Sequence, residues 1–120
     1  MDKALNFLGL CRRAGKLLIG EDGVSGAARS GQAVLLMVAA DTADNTRKKA
    51  GNLSRWYGIP LVTLPWDKDT LGELLDKRVC AILALTDKGL AEAFQKKLAA
   101  AHPGQEAREA EETGKGRTER

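Results

Sequence analysis

Histidine is almost missing from this chain: one residue in 120, His102, close to the C-terminal end. An imidazole at the edge of a charged tail is poorly placed to serve as a positioned general base. Cysteine is scarce too, with Cys11 and Cys80 the only two. Both stand in apolar surroundings without a histidine partner in an ordered segment, so they read as small core residues of a protein kept in a reducing compartment. No cysteine–histidine cluster has metal-ligand spacing. Aromatic residues make up 4% of the chain, little material for base-stacking platforms. No apolar run is long enough to cross a bilayer. The opening MDKALNFLGL has one lysine and no small-residue cleavage site, which argues against a secretory signal. The usual parts of an enzyme are lacking, and the expectation is a cytoplasmic, non-catalytic protein with no metal and no cofactor.

What is present points to one domain. The 120 residues suffice for one core and hardly for two. Five acids and four bases in 102–120 leave fifteen bases against eleven acids in 1–101, a net of +4 there against +3 for the whole chain. That mild basic bias suits a nucleic-acid partner without diagnosing one.

Asp2 predicts a helix to about Arg13, with Ala4, Phe7, Leu8, Cys11 and Ala14 on one apolar face. Lys16 to Ile19 reads as a strand, Glu21 to Ser30 as a helix, and Ala33 to Ala39, AVLLMVA, as a strand apolar on both faces. Asp41 and Thr42 open a helix over 43–57 whose inner face is Thr46, Ala50, Leu53 and Tyr57. Leu61 to Leu64 is a third strand, and Asp67 caps a short helix to Leu75. Val79 to Leu85 is a fourth strand, and Thr86 or Asp87 caps a last helix. A helix followed by four strand–helix pairs predicts an α/β fold, a three-layer α/β/α sandwich over residues 1–101. Residues 102–120 have no aromatic or large aliphatic side chain, which predicts a disordered charged tail. Trp56 and Trp66 read as core or rim packing, with Trp66 a candidate for exposure near the segment before the fourth strand. Arg47, Lys48, Lys49 and Arg55 read as a solvated helix face opposite Ala50 and Leu53.

The stretch GKLLIGEDGVSG, residues 15–26, carries the functional question. Gly20, Gly23 and Gly26 stand three apart around two acids, Glu21 and Asp22. A P-loop needs a Lys-Ser/Thr pair, which is lacking. The dinucleotide fingerprint has a different glycine spacing, and the acids would repel a pyrophosphate. The GXXG of KH domains joins two helices and clamps phosphates, whereas GEDG follows a strand and is acidic. Carboxylates accept hydrogen bonds, and glycines let main chain approach closely. Such a loop suits the edges of splayed or non-standard base pairs, with Lys16, Arg12, Arg13 and Arg29 near in sequence for flanking phosphates. A tight turn opening an acidic helix start accounts for the same residues equally well.

Several segments taken in order, LCRRAGKLLIGED, SGQAVLLMVAADTADNTRKKAGNLSRWYGIPLVTL, LGELL and CAILALTDKGLAEAF, resemble the ribosomal protein L7Ae/L30e family of kink-turn RNA binders, in its small bacterial YlxQ-like branch. The resemblance spans roughly residues 3–100. It implies a mixed four-stranded sheet and places RNA at the junction after the first strand, where the family reads Gly-x-Asn-Glu-x-x-Lys. Gly20 matches the glycine; Asp22, Gly23 and Gly26 replace the Asn, Glu and Lys. A second contact is implied in the loop before the last strand, here Asp76, Lys77, Arg78 and Val79. The expected reader is therefore Gly20, Glu21, Asp22, Gly23 and Gly26, with Lys16 and Arg29 on phosphates and the 76–79 loop closing over bases. The expected partner is structured RNA, including ribosomal RNA. The rival expectation is an interaction module for ribosome or translation-machinery proteins that has lost RNA reading, as the changes at 22, 23 and 26 would allow.

Overall fold

A computed structural model describes residues 2–75 and 81–103. Among them the order is α1 (Lys3–Arg13), β1 (Leu17–Ile19), α2 (Glu21–Arg29), β2 (Leu35–Val38), α3 (Asp44–Tyr57), β3 (Leu61–Thr63), α4 (Lys68–Leu75), β4 (Ile82–Leu85) and α5 (Lys88–Ala101). The sheet order is β1-β4-β2-β3. β2 and β3 run parallel, and β4 is antiparallel to both its neighbours. The α/β class, the layers and the mixed sheet all match the sequence reading.

Strand periodicity makes the layers, because successive side chains point to opposite faces. Leu35, Met37, Leu83 and Leu85 join Leu8, Leu71 and Phe94 under α1, α4 and α5. Leu36, Val38, Ile82 and Ala84 join Val24, Ala28 and Ala50 under α2 and α3. Both faces of β2 and β4 are buried, which is why they read as unbroken apolar runs. Cys11 is 1% exposed. Burial, then the charge of Asp87, pushes its thiol up, so it is a core residue and no nucleophile. Cys80 and the start expected for the fourth strand lie outside the described residues, as does 104–120.

Four expectations need correcting. Asp41 and Thr42 do not cap α3, whose N-cap is Ala43 with no side-chain bond. The buried Thr42 hydroxyl lies 2.7 Å from the Ala39 carbonyl and 3.1 Å from that of Ala81, and Asp41 accepts from the Lys68 amide at 2.8 Å. Both close the turn after β2. The inner face of α3 is Ala50, Gly51 and Ser54, and Tyr57 is exposed. These small residues let the helix settle closely on the sheet, with the Ser54 hydroxyl donating to the Ile59 carbonyl. Trp56 is 81% exposed, not packed. Trp66 is buried, not exposed: its indole N–H donates to Asp2 at 3.1 Å, and the ring packs against Phe94.

The Trp66 site also holds the beginning of the expected tail. His102 caps the C-terminus of α5, stands edge-on to Trp66 and places Nε2 2.5 Å from an Asp2 carboxylate oxygen. Asp2 meanwhile accepts from the amides of Ala4 and Leu5 as the N-cap of α1. Burial pushes its carboxyl up, but bonds from His102, Leu5 and Trp66 outweigh that and hold it below the usual carboxylate value. A carboxyl lowered in the folded state contributes stability that is full above its unfolded value, about 3.9, and is lost as pH falls through the folded value. Chemical denaturation from pH 6 down to pH 2 is expected to show that loss, reduced in Asp2→Asn. Asp2→Ala is expected to cost about 2–3 kcal/mol at neutral pH, from the lost cap and the orphaned indole N–H.

Candidate nucleic-acid interface

One end of the sheet collects the residues of interest. β1, β2 and β3 all finish there and β4 starts there: the Gly20 amide donates to the Ile82 carbonyl, Ala39 to Ala81, and Leu64 to Val38. Three helices, α2, α3 and α4, therefore begin at this rim. Their N-termini carry unpaired amides and partial positive charge.

Gly20 makes the turn into α2. Its backbone sits at φ 98° and ψ 157°, a region essentially reserved for glycine. It supplies no side-chain cap, and the first helical bond runs from the Val24 amide to the Gly20 carbonyl. The amides of Glu21, Asp22 and Gly23 are thus left without a protein partner among the described residues. All three residues are exposed. A Cβ on Gly26 would meet nothing within 4 Å, and one on Gly23 only the Leu18 Cβ at 3.9 Å. Neither glycine is there to let another element pack; both leave the helix surface bare.

The carboxylates at the rim are differently engaged. Asp41 and Asp67 accept from the Lys68 and Thr70 amides and so cap α4; the bond from the Thr70 amide lowers the Asp67 carboxyl below its ordinary value. Glu21 pairs with Lys49 of α3 at 3.1 Å. This exposed pair contributes little stability and is free to exchange partners. Asp22 has no partner among the described residues. Outward amides beside an unpaired carboxylate present donors and acceptors side by side. That suits groups offering both, such as nucleobase edges, better than a bare polyphosphate.

The other expected site residues divide. Ala81 is at the rim, but the expected contacts Asp76, Lys77, Arg78 and Val79 lie outside the described residues. Lys16 is exposed at the opposite end of β1, where its carbonyl accepts from the Thr86 amide. That is four residues, about 13 Å, from Gly20. Arg29 sits at the far end of α2, about 12 Å from its start, and Arg12 and Arg13 end α1 on the other side of the sheet. None of these cations is gathered beside Gly20. Lys49, Arg47 and Lys68, the first residue of α4, are among the cations near the rim instead. Arg47 is half-buried and donates to the Thr63 hydroxyl at 3.0 Å. The sequence reading placed Lys49 and Arg47 on a solvated face; their partners, 28 and 16 residues away, leave no local signal.

Comparison with known proteins follows the same lines. The family model described as "Ribosomal protein L7Ae/L30e/S12e/Gadd45 family" matches residues 2–95. A protein named RNA-binding protein YlxQ from Bacillus subtilis (strain 168) is 33% identical over 85 residues, 71% of this chain and 84% of that one. Its namesake from Enterococcus faecium is 40% identical over 62 residues, 52% of this chain, and the match spans 60% of that protein's length. Among solved structures, a protein of unknown function from Bacillus halodurans C superposes with a TM-score of 0.75 at 28% identity, over 82% of this chain and 98% of that one. A Giardia lamblia 15.5kD RNA binding protein superposes at 0.62 and 19% identity, over 80% and 82%, a likeness of fold.

Proposed function

The chain belongs to the ribosomal protein L7Ae/L30e/S12e/Gadd45 family, and on that footing we propose that it is a non-catalytic RNA-binding protein of the cytoplasm. It recognises kink-turn or similarly structured RNA, ribosomal RNA included, at the rim where α2 begins. The observation that carries this reading is the open start of α2. Three outward amides, the unpaired Asp22 and the bare surface at Gly23 and Gly26 stand together, at the junction that the family resemblance makes the expected RNA contact. Glu21 joins as an acceptor once Lys49 turns to a phosphate. The family resemblance adds Asp76–Val79, which lie outside the described residues, as a second expected contact.

Electrophoretic mobility shift at fixed salt, with a kink-turn RNA and a control whose G·A pairs are disrupted, tests the proposal. A preference of about tenfold or more for the intact RNA is expected, since each base contact is worth about 1–3 kcal/mol. Equal and steeply salt-dependent binding to both would reduce the interaction to counterion release. The absence of side chains at 23 and 26 favours one rival, an interaction module for ribosome or translation-machinery proteins. That rival predicts a defined protein partner whose capture survives nuclease.

A further inference from the structure

Trp56 is 81% exposed, although large aromatic side chains are normally well covered. It closes one end of a groove between α2 and α3. Ser25 of α2 faces Lys49, Asn52, Leu53 and Trp56 of α3 across a space of about 740 Å³. The α2 wall is low, because Ser25 is its one lining residue from α2. The groove starts at the rim, where Lys49 meets Glu21. At its far end Tyr57 lines both this groove and a second cleft of about 480 Å³ that includes Arg29 and Lys88.

Acids stand only at the two ends of this path, Glu21 at the rim and Glu92 in the second cleft, and the α3 wall between them is basic. After Asp44, α3 carries Arg47, Lys48, Lys49 and Arg55 and no acid. Asn45, Lys49, Asn52 and Trp56 are spaced four, three and four residues apart, so they share one stripe of the helix. A stripe of two amides and a cation ending on an exposed indole, with Lys48 and Arg55 beside it on the same helix, has the composition of a single-strand binding surface: charge for the backbone, a ring for a base. We infer that the α2–α3 groove takes an unpaired RNA strand running on from the element held at the rim, with phosphates along Lys48, Lys49 and Arg29 and one base stacked on Trp56. The inference rests on the rim being an RNA site and extends it to a second kind of RNA structure. It also gives Arg29 a role that its distance from Gly20 denies it at the rim.

The test uses one structured RNA in two forms, blunt and with an unpaired extension of about four nucleotides. The ratio of their affinities is read within each protein. In the parent chain the extension is expected to tighten binding about 5- to 150-fold, the range of one base–aromatic stack. The ratio is expected to fall to near one in Trp56→Ala and to be partly kept in Trp56→Phe. Emission from Trp56, separated from buried Trp66 by comparison with Trp56→Phe, is expected to be quenched by the extended RNA only. No gain from the extension, or the same gain in Trp56→Ala, would overturn the proposal. Failure to bind the blunt RNA would instead count against the rim; quenching of Trp56 by an unpaired oligonucleotide alone then judges the groove, and no quenching overturns it. Shielding of Trp56 by a protein and by no RNA would likewise overturn it.

Discussion

The triple variant Asp22→Asn/Gly23→Glu/Gly26→Lys is expected to bind a kink-turn RNA about two to four orders of magnitude more tightly than the parent chain. The three changes introduce the side chains that the family resemblance implies at this junction. Asn at 22 offers a donor as well as an acceptor, where Asp22 only accepts. Lys at 26 adds a charge-assisted contact, and Glu at 23 a further acceptor. The backbone has room for them: Gly26 faces open space and Gly23 only an ordinary contact with Leu18. Both positions also lie inside α2, where any of these residues favours helix over glycine. The gain is read as a ratio of dissociation constants at one salt concentration. The control with disrupted G·A pairs should gain far less, through the added lysine alone. An equal gain on both RNAs would mean that the rim attracts charge and does not read bases.

Two glycines three residues apart are expected to respond to alanine in opposite directions. Gly20→Ala is expected to cost about 2 kcal/mol, because φ 98° and ψ 157° are strained for any residue with a Cβ. The space around Gly20 is open, so the cost is one of backbone conformation and not of collision. Gly23→Ala is expected to gain about 0.5–1 kcal/mol, since a helical glycine holds more conformational freedom in the unfolded chain. In thermal melts the pair should separate by at least about 10 °C for a domain of this size. A Gly20→Ala variant as stable as the parent would show that the turn into α2 takes another conformation.

The fold was legible because local patterns and tertiary packing agree. Asp2, Gly15, Gly31, Gly58 and Asp87 mark helix boundaries by their own chemistry, and AVLLMVA announces a strand covered on both faces. The misreadings arose where a side chain serves something distant in sequence. Thr42 and Asp41 look like caps of the nearest helix but tie the turn after β2 to Ala81 and Lys68. Trp66 is drawn inward by Asp2, 64 positions away, and His102 by the same carboxylate. The site was half legible. Gly20 to Gly26 stood out as a glycine-rich strand-to-helix junction. Lys16 and Arg29 were grouped with it only by closeness in sequence, which a strand and a helix of about 12 Å each undo. Lys49 reads from the sequence as part of a solvated basic face, because its partner Glu21 belongs to another helix.

The most direct measurement follows backbone amide chemical shifts of the ¹⁵N-labelled protein on addition of a kink-turn RNA. If main chain and short acceptors at the rim touch nucleobases, the largest changes fall on Glu21, Asp22 and Gly23, and they are absent with the G·A-disrupted control. Changes concentrated on α1 and α5, with those three amides unmoved, would contradict the account.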